Sequence, residues 1–294
     1  MDIRNLETFL EVVERGSVAE AARRMNLTPA ALSQRLLVLE QELGQTLVTR
    51  VGRTMQPTEE GLAMLAAARR IVSGARDLRA IAANGEPAGQ LRLGAIATSV
   101  TGLLPEVIAH LGQAQPAIEY FVQPGSSSDL YQGVMEGDLD AAIIVRPNFA
   151  LHKSLRWKRL HTEPLVFISP EDGALDDPHD LIRAQPFIRY DRNSWGGRII
   201  DRYLRAHDLV VKEFLELDGL EAIAAMVNRG VGVALVPDWM PPWPAGMHLR
   251  KTIVSVRDSR EIGVVWRSAG ARNAAVGVFV GACMTIVADA TSGP

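Results

Sequence analysis

The chain has 294 residues, 47% of them apolar and 22% charged, a length suited to two domains and a composition that excludes a disordered or fibrous polypeptide. Lys plus Arg number 31 against 34 Asp plus Glu, for a formal net charge of −3, so there is no uniform basic coat for nucleic acid or membrane. The single cysteine, Cys283, excludes an intrachain disulfide and cysteine-rich metal sites.

The first predicted element is a helix over 3–15. Asp2, Arg4, Glu7, Glu11, Glu14 and Arg15 interrupt any apolar run of the signal-peptide kind, and the chain is expected in the cytoplasm. Ser17 and Glu20 have the capping-box spacing, which predicts a helix over 17–25 burying Val18, Ala21, Ala22 and Met25. Thr28 is an N-cap with Pro29 at the first helical position of the next helix. There Leu32, Leu36, Leu39 and Leu43 form one apolar stripe, and Gly44 stops the helix. Only Asn26 and Leu27 separate the two helices, so the pattern is helix-turn-helix.

Charge supports that reading. Residues 1–22 carry two arginines against five acids, whereas residues 23–53 carry five arginines against Glu40 and Glu42. Arginine forks suit phosphates and guanine edges. At 100° per residue, Ala30 and Gln34 lie nearly opposite the leucine stripe and are candidate base contacts. Ser33 and Arg35 flank them, as base or phosphate contacts, with Thr28 and Pro29 at the entering end. Leu37 and Val38 also face outward, to meet a thymine methyl or a packing neighbour. Arg50-Val51-Gly52-Arg53, followed by Gln56-Pro57-Thr58, reads as a two-stranded wing with its arginines over the DNA backbone or minor groove.

The string from Gly16 to Gly61 resembles the DNA-binding domain of the LysR-type transcriptional regulators. Matching positions include Phe9, Gly16, Ser17, Ala21, Ala22, Leu27, Ser33, Leu39, Glu40, Leu43, Gly44, Leu47, Arg50, Thr58 and Gly61. The sequence departs from the family pattern at Pro29 and Ala30, where glutamine then proline is usual. It departs again at Val48, where phenylalanine is usual, and at Leu37 and Val38, commonly polar. These departures bear on base preference rather than class.

From 59 to 83 there is no proline, and Met64, Ala68, Ile71, Ala75, Leu78 and Ala82 step alternately by four and three. That seam predicts a helix for dimerisation, the alternative being packing on its own domain. Two copies are also what a helix-turn-helix needs to read a site of useful length. The resemblance implies antiparallel pairing of this linker helix between protomers, further assembly to tetramers, and an interrupted inverted repeat in promoter DNA as the target.

After turn chemistry at 84–89, strand and helix patterns alternate, which predicts an α/β unit with a largely parallel sheet. Strands are expected at 91–97, 118–122, 141–145, 165–169, 187–190, 214–217 and 231–236. Helices are expected at 101–113, 129–137, 197–207 and 219–229, and a buried helix at 274–288. This part resembles the family's effector-binding domain, itself similar to periplasmic solute-binding proteins, with two lobes, two crossovers and one cleft. The expected fold class is therefore α plus α/β. A winged helix-turn-helix spans 1–58, a linker helix and hinge 59–86, and a two-lobed effector domain 87–294. Lobe one takes about 90–161 plus 268–294, and lobe two about 162–267.

Ligands in such sheets sit beyond strand ends at helix N-termini, where amide groups are free. That selects Thr98, Ser99 and Val100, then Ser126 and Ser127, then Tyr190, Ser194 and Gly196 as effector contacts. Each group reads equally as an ordinary capped turn. Arg146, with Arg189, Arg192 and Arg198, suggests an anionic effector, or else surface ion pairs. Trp239 either floors the pocket with Trp195 and Trp243 or packs in the core. No cofactor, metal or membrane is expected. The six histidines show no H-x-x-x-H spacing, and neither G-x-S-x-G nor a Walker lysine motif occurs. An enzyme is thus disfavoured. The remaining alternative is a small-molecule solute receptor without DNA function.

Overall fold

A computed structural model describes residues 1–82, 89–172 and 177–292. The chain folds as two compact units: Met1–Gly85 with Glu136–Asp138, and the remainder.

The first unit begins with α1 (Ile3–Arg15), α2 (Val18–Arg24) and α3 (Pro29–Leu43). The capping signals form as expected. Ser17 Oγ accepts from Glu20 N–H at 3.4 Å, although the Glu20 carboxylate turns to Arg23 rather than completing the capping box. Thr28 Oγ1 accepts from Ala31 N–H at 3.2 Å, and Gly44 closes α3 in the left-handed region. The wing is the antiparallel pair β1 (Val48–Val51) and β2 (Thr54–Pro57). Glu40 Oε1 accepts from the amides of Leu47 and Val48, which fixes the strand start against α3.

Leu6, Phe9, Val12, Leu32, Leu36, Leu39 and Leu47 form the core, closed by α4 (Glu59–Ala82) through Ala68 and Val72. This redirects part of the expected dimer seam. Ala68 is buried in its own unit and Met64 packs against that core, so the first turns of α4 use the stripe locally. Ile71 and Leu78 are 43% and 69% exposed, and Ala75 is half-buried. The side chain of Ala82 lies outside the described residues, as does the expected hinge at 84–88.

Gly61 marks where α4 meets the wing. A Cβ there would lie 2.1 Å from the Leu47 carbonyl oxygen, an atom fixed by backbone. Gly61→Ala is therefore expected to destabilise this unit by at least about 1–3 kcal/mol, the usual cost of overpacking. Helix melting followed by circular dichroism measures it.

The second unit has, in order, β3 (Gly89–Ala95), α5 (Ala97–Thr101), α6 (Leu103–Ala114), β4 (Ile118–Pro124), α7 (Ser127–Glu136), β5 (Ala141–Val145) and β6 (Leu155–Pro170). Then follow α8 (Pro178–Ala184), β7 (Pro186–Tyr190), α9 (Gly197–Ala206), β8 (Lys212–Leu217), α10 (Leu220–Asn228), β9 (Ala234–Pro237), β10 (Leu249–Arg267) and α11 (Asn273–Ser292). The main sheet runs β4-β3-β5-β10-β6-β9, and the parallel pair β7-β8 joins through a bridge between Phe187 and Val233. The helix expected over 101–113 begins four residues earlier and breaks at Gly102, where a side chain would meet the Thr98 and Pro241 carbonyls at 2.9 and 3.0 Å.

Two cores divide this unit. One holds Leu93, Val107, Ile143, Ile144, Val264 and Phe279, and the other Val166, Ile182, Phe187, Ile223 and Leu235. The long antiparallel strands β6 and β10 pass through both. The far half of β10 pairs with β5 through Ile262–Trp266, so Ile262, Val264 and Val265 belong to the first core. A lobe boundary at 267 is therefore too late, because a crossover strand is shared rather than owned. Midway, four residues of β10, 256–259, stand against Pro164 alone of β6, and this bulge sets Arg260 opposite Glu163. Helix α11 is long and apolar enough to cross a membrane by length and composition. Val276, Phe279, Cys283 and Val287 from it are packed into the first core, which explains that composition.

Candidate functional site

The exposed face of α3 carries the residues expected to meet DNA. Thr28, Pro29, Ala30, Ser33 and Gln34 are exposed and Arg35 is half-buried, while Leu32, Leu36 and Leu39 anchor the opposite face. The Thr28 hydroxyl is engaged as the helix cap, so its contribution is to place the first turn. Arg50 and Arg53 are exposed on the wing, with Arg50 Nε donating to Gly52 O at 3.2 Å across the tip. Gly52 has φ +62°, the left-handed conformation the tip requires. Leu37 is 45% exposed, which leaves an apolar spot beside the polar face.

In the second unit a cavity of about 90 Å³ is lined by residues of both cores' edges. Of the expected effector contacts, Thr98, Ser126, Ser127, Tyr190, Ser194 and Gly196 line it. They come from the ends of β3 and β7 and the starts of α5, α7 and α9. The serines also serve the framework. Ser127 Oγ accepts from Val145 N–H at 3.1 Å. Ser194 Oγ accepts from Gly197 N–H at 2.9 Å and donates to Asp191 O. Ser126 Oγ caps Asp129 N–H at 3.2 Å. Gly196 lets the Tyr190 ring approach, since a Cβ there would sit 2.8 Å from the ring edge.

The other four expected contacts lie elsewhere. Ser99 is buried within α5, and Val100 packs on the first core. Arg146 is turned outward and paired with Glu261 at 3.0 Å. Trp239 is buried in the second core and stacked on Trp243 with ring centroids 3.7 Å apart. Two further arginines of the anionic argument are also spent on neighbours. Arg189 pairs with Asp201 and Glu213, and Arg192 with Glu213 and Glu216.

The charged groups lining the cavity are Arg260 and Asp218, neither selected from sequence. Arg260 is 3% exposed. Its Nε donates to Glu163 Oε2 and its Nη2 to Thr98 Oγ1 at 2.9 Å. His161 Nε2 lies 3.2 Å from the second oxygen of Glu163. Burial alone drives the Glu163 pKa upward, but the Arg260 charge and the hydrogen bonds from His161 and Arg260 outweigh it and hold the carboxylate below its usual range. Burial likewise opposes the Arg260 charge, and the Glu163 carboxylate more than offsets that. A sequence signal existed: each stands just ahead of an apolar strand run, 165–168 and 262–266, where a charge must find a partner. Cys283 has its thiol pKa pushed up to about 12 by burial, so it is a packing residue rather than a nucleophile.

Residues 3–62 match the family model "Bacterial regulatory helix-turn-helix protein, lysR family", and residues 84–286 match "LysR substrate binding domain". The chain belongs to the LysR family of transcriptional regulators. This regulator is 29% identical over 279 residues to the HTH-type transcriptional regulator IlvR of Caulobacter vibrioides, spanning 91% of this chain and 92% of that protein. It is 29% identical over 248 residues to the HTH-type transcriptional activator IlvY of Salmonella typhimurium, spanning 81% and 83%. In fold it resembles CbnR, a LysR family transcriptional regulator, with TM-score 0.68, 20% identity and 98% and 99% of the two chains covered. It also resembles a full-length OxyR variant from Pseudomonas aeruginosa, with TM-score 0.68, 22% identity and 96% and 94% covered. The regulator thus couples a DNA-binding helix-turn-helix to an effector-binding unit, and its relatives are transcriptional regulators rather than solute receptors.

Proposed function

We propose that this regulator inserts α3 into the major groove, with Ala30, Ser33 and Gln34 against base edges. Thr28, Pro29 and Arg35 fix its entry, and Arg50 and Arg53 lie along the backbone beside it. The observation that carries this is the two-faced helix: three buried leucines behind, and an exposed small and polar face in front. Full-length CbnR, which has a similar fold, has been solved in complex with its target DNA, which supports duplex DNA as the partner.

Two copies pair through α4, with Ile71, Ala75 and Leu78 in the seam and Met64 and Ala68 supporting it from their own unit. Two such dimers form a tetramer on an interrupted inverted repeat. A small effector with an anionic group occupies the cavity and favours one arrangement of the sensor, which alters spacing or angle of the paired readers. A coupling of roughly 1–3 kcal/mol is enough to change occupancy several-fold. No chemical turnover enters this reading, and the regulator acts in the cytoplasm.

A gel-shift series on the promoter beside its own gene tests the reading face. Gln34→Ala is expected to relax preference at one base pair per half-site, about 1–3 kcal/mol of discrimination, without changing the salt dependence. Unchanged preference at every position overturns the assigned face. Conversion of a bound effector by the pure protein overturns the non-enzymatic reading.

A further inference from the structure

We infer that Leu37 is a base-specificity residue of α3, its side chain packed on the 5-methyl group of a thymine in each half-site. This rests on the reading of α3 as the helix that enters the major groove.

Leu37 is the one leucine of α3 that lies off the buried stripe. Leu32, Leu36 and Leu39 are buried and Leu43 packs against the same core, whereas Leu37 is 45% exposed. At 100° per residue it stands about 60° from Gln34 and about 20° from Ala30 around the helix axis, so it shares the outward face with both. The core of this unit does not use it.

Its neighbours limit what can cover it. Ser33 and Gln34 precede it by four and three residues and Gln41 follows by four, and all three are exposed. The apolar spot is therefore a single side chain set among polar ones. A contact between proteins calls for a contiguous apolar patch, which this is not. The floor of the major groove has the matching pattern: polar base edges interrupted by the C5-methyl of thymine, the apolar group that base pairs present there.

The helix also sets where that thymine stands. Leu37 lies three residues beyond Gln34, about 4.5 Å along the axis. A helical side chain leans toward the N-terminus and covers the preceding turn, so the thymine is at the base pair that Gln34 reads or next to it. A leucine in that position favours the methyl and disfavours cytosine, whose amino group would lose water and gain no acceptor.

The test is a gel-shift series on the promoter beside its own gene, with each thymine of the two half-sites replaced in turn by uracil. Uracil keeps every hydrogen-bonding group and lacks only the methyl. One thymine per half-site, at or beside the Gln34-dependent pair, is expected to be sensitive, by about four-fold singly and about sixteen-fold when both half-sites are changed. Leu37→Ala is expected to bind thymine and uracil duplexes alike, with the salt dependence of the parent. Leu37→Gln is the second variant, with the same expected loss of methyl sensitivity, and circular dichroism checks that both keep their helix content. A parent with no methyl-sensitive thymine overturns the inference, and so does sensitivity that persists in both variants. A changed oligomeric state of Leu37→Ala in sedimentation also overturns it, because the leucine then meets protein. Gln34→Ala separates this failure from failure of the underlying reading. If it still relaxes preference at one base pair, α3 remains the reading helix and only the thymine contact falls. If it does not, both fall.

Discussion

The double substitution Arg50→Ala, Arg53→Ala is expected to weaken binding to every duplex alike, on the order of 10³-fold at about 0.1 M salt. Both side chains are exposed, Arg50 on β1 and Arg53 in the two-residue tip, which is shaped by Gly52 and by the Arg50 Nε–Gly52 O bond. Each arginine that neutralises a phosphate releases condensed counterions, and the logarithm of affinity falls by about 0.9 per contact for each decade of salt. A dimer loses two such contacts from each of its wings, so the slope should become shallower by about 3.6. Base preference should stay as it was, because phosphates carry no sequence. Filter binding across a salt series, on specific and random duplexes, measures both quantities. A slope that does not move places the wing away from the backbone. Gln34→Ala is the internal control, with the opposite pattern.

The second large effect concerns Arg260→Met. It strands Glu163, 3% exposed, without its cation, and breaking a buried pair from one side costs about 3–5 kcal/mol. The double substitution with Glu163→Met should recover most of that loss, since an apolar pair of similar volume is often neutral or better. All five tryptophans, Trp157, Trp195, Trp239, Trp243 and Trp266, lie in the second unit, so tryptophan fluorescence during urea unfolding follows this unit alone.

The pH dependence has a definite sign. In the parent, Glu163 is held below its ordinary pKa. It therefore stabilises the fold above the unfolded carboxylate pKa, and that contribution is lost as the pH falls through the folded value. In Arg260→Met the buried carboxylate has lost the cation that lowered it, so its pKa rises. Acidification then protonates Glu163 and restores part of the lost stability. If the single variant is no less stable than the parent, or if its pH trend matches the parent's, the pair is not what holds the two crossover strands at this point.

Local rules made much of the first unit legible. Ser17, Thr28-Pro29 and Gly44 act within a few residues of themselves, and the leucine stripe of α3 needs only the helical period to declare its buried face. The wing followed from Gly52 between two short extended runs. The dimer seam was less secure, because period alone does not say whether an apolar stripe meets its own domain or a partner. Ala68 meets its own core, while Ile71 and Leu78 stay exposed. Serines at 126, 127 and 194 could be placed at helix starts because those signals are local, and they line the cavity. Their dual duty as framework caps was visible only from their partners.

By itself, then, the order of residues determined the helix-turn-helix, the outward face of α3, the linker helix, and an α/β sensor with turn-borne polar groups. Those features depend on contacts between near neighbours in the chain. Tertiary structure alone decided the chemistry of the cavity. Arg260, Glu163, Thr98 and Asp218 are far apart in sequence, and a bulge in β10 brings the first two face to face across the crossover strands. Burial then matched Arg260 with Glu163, and which partner each charge meets is set by long-range packing and by the loss of water around the pair.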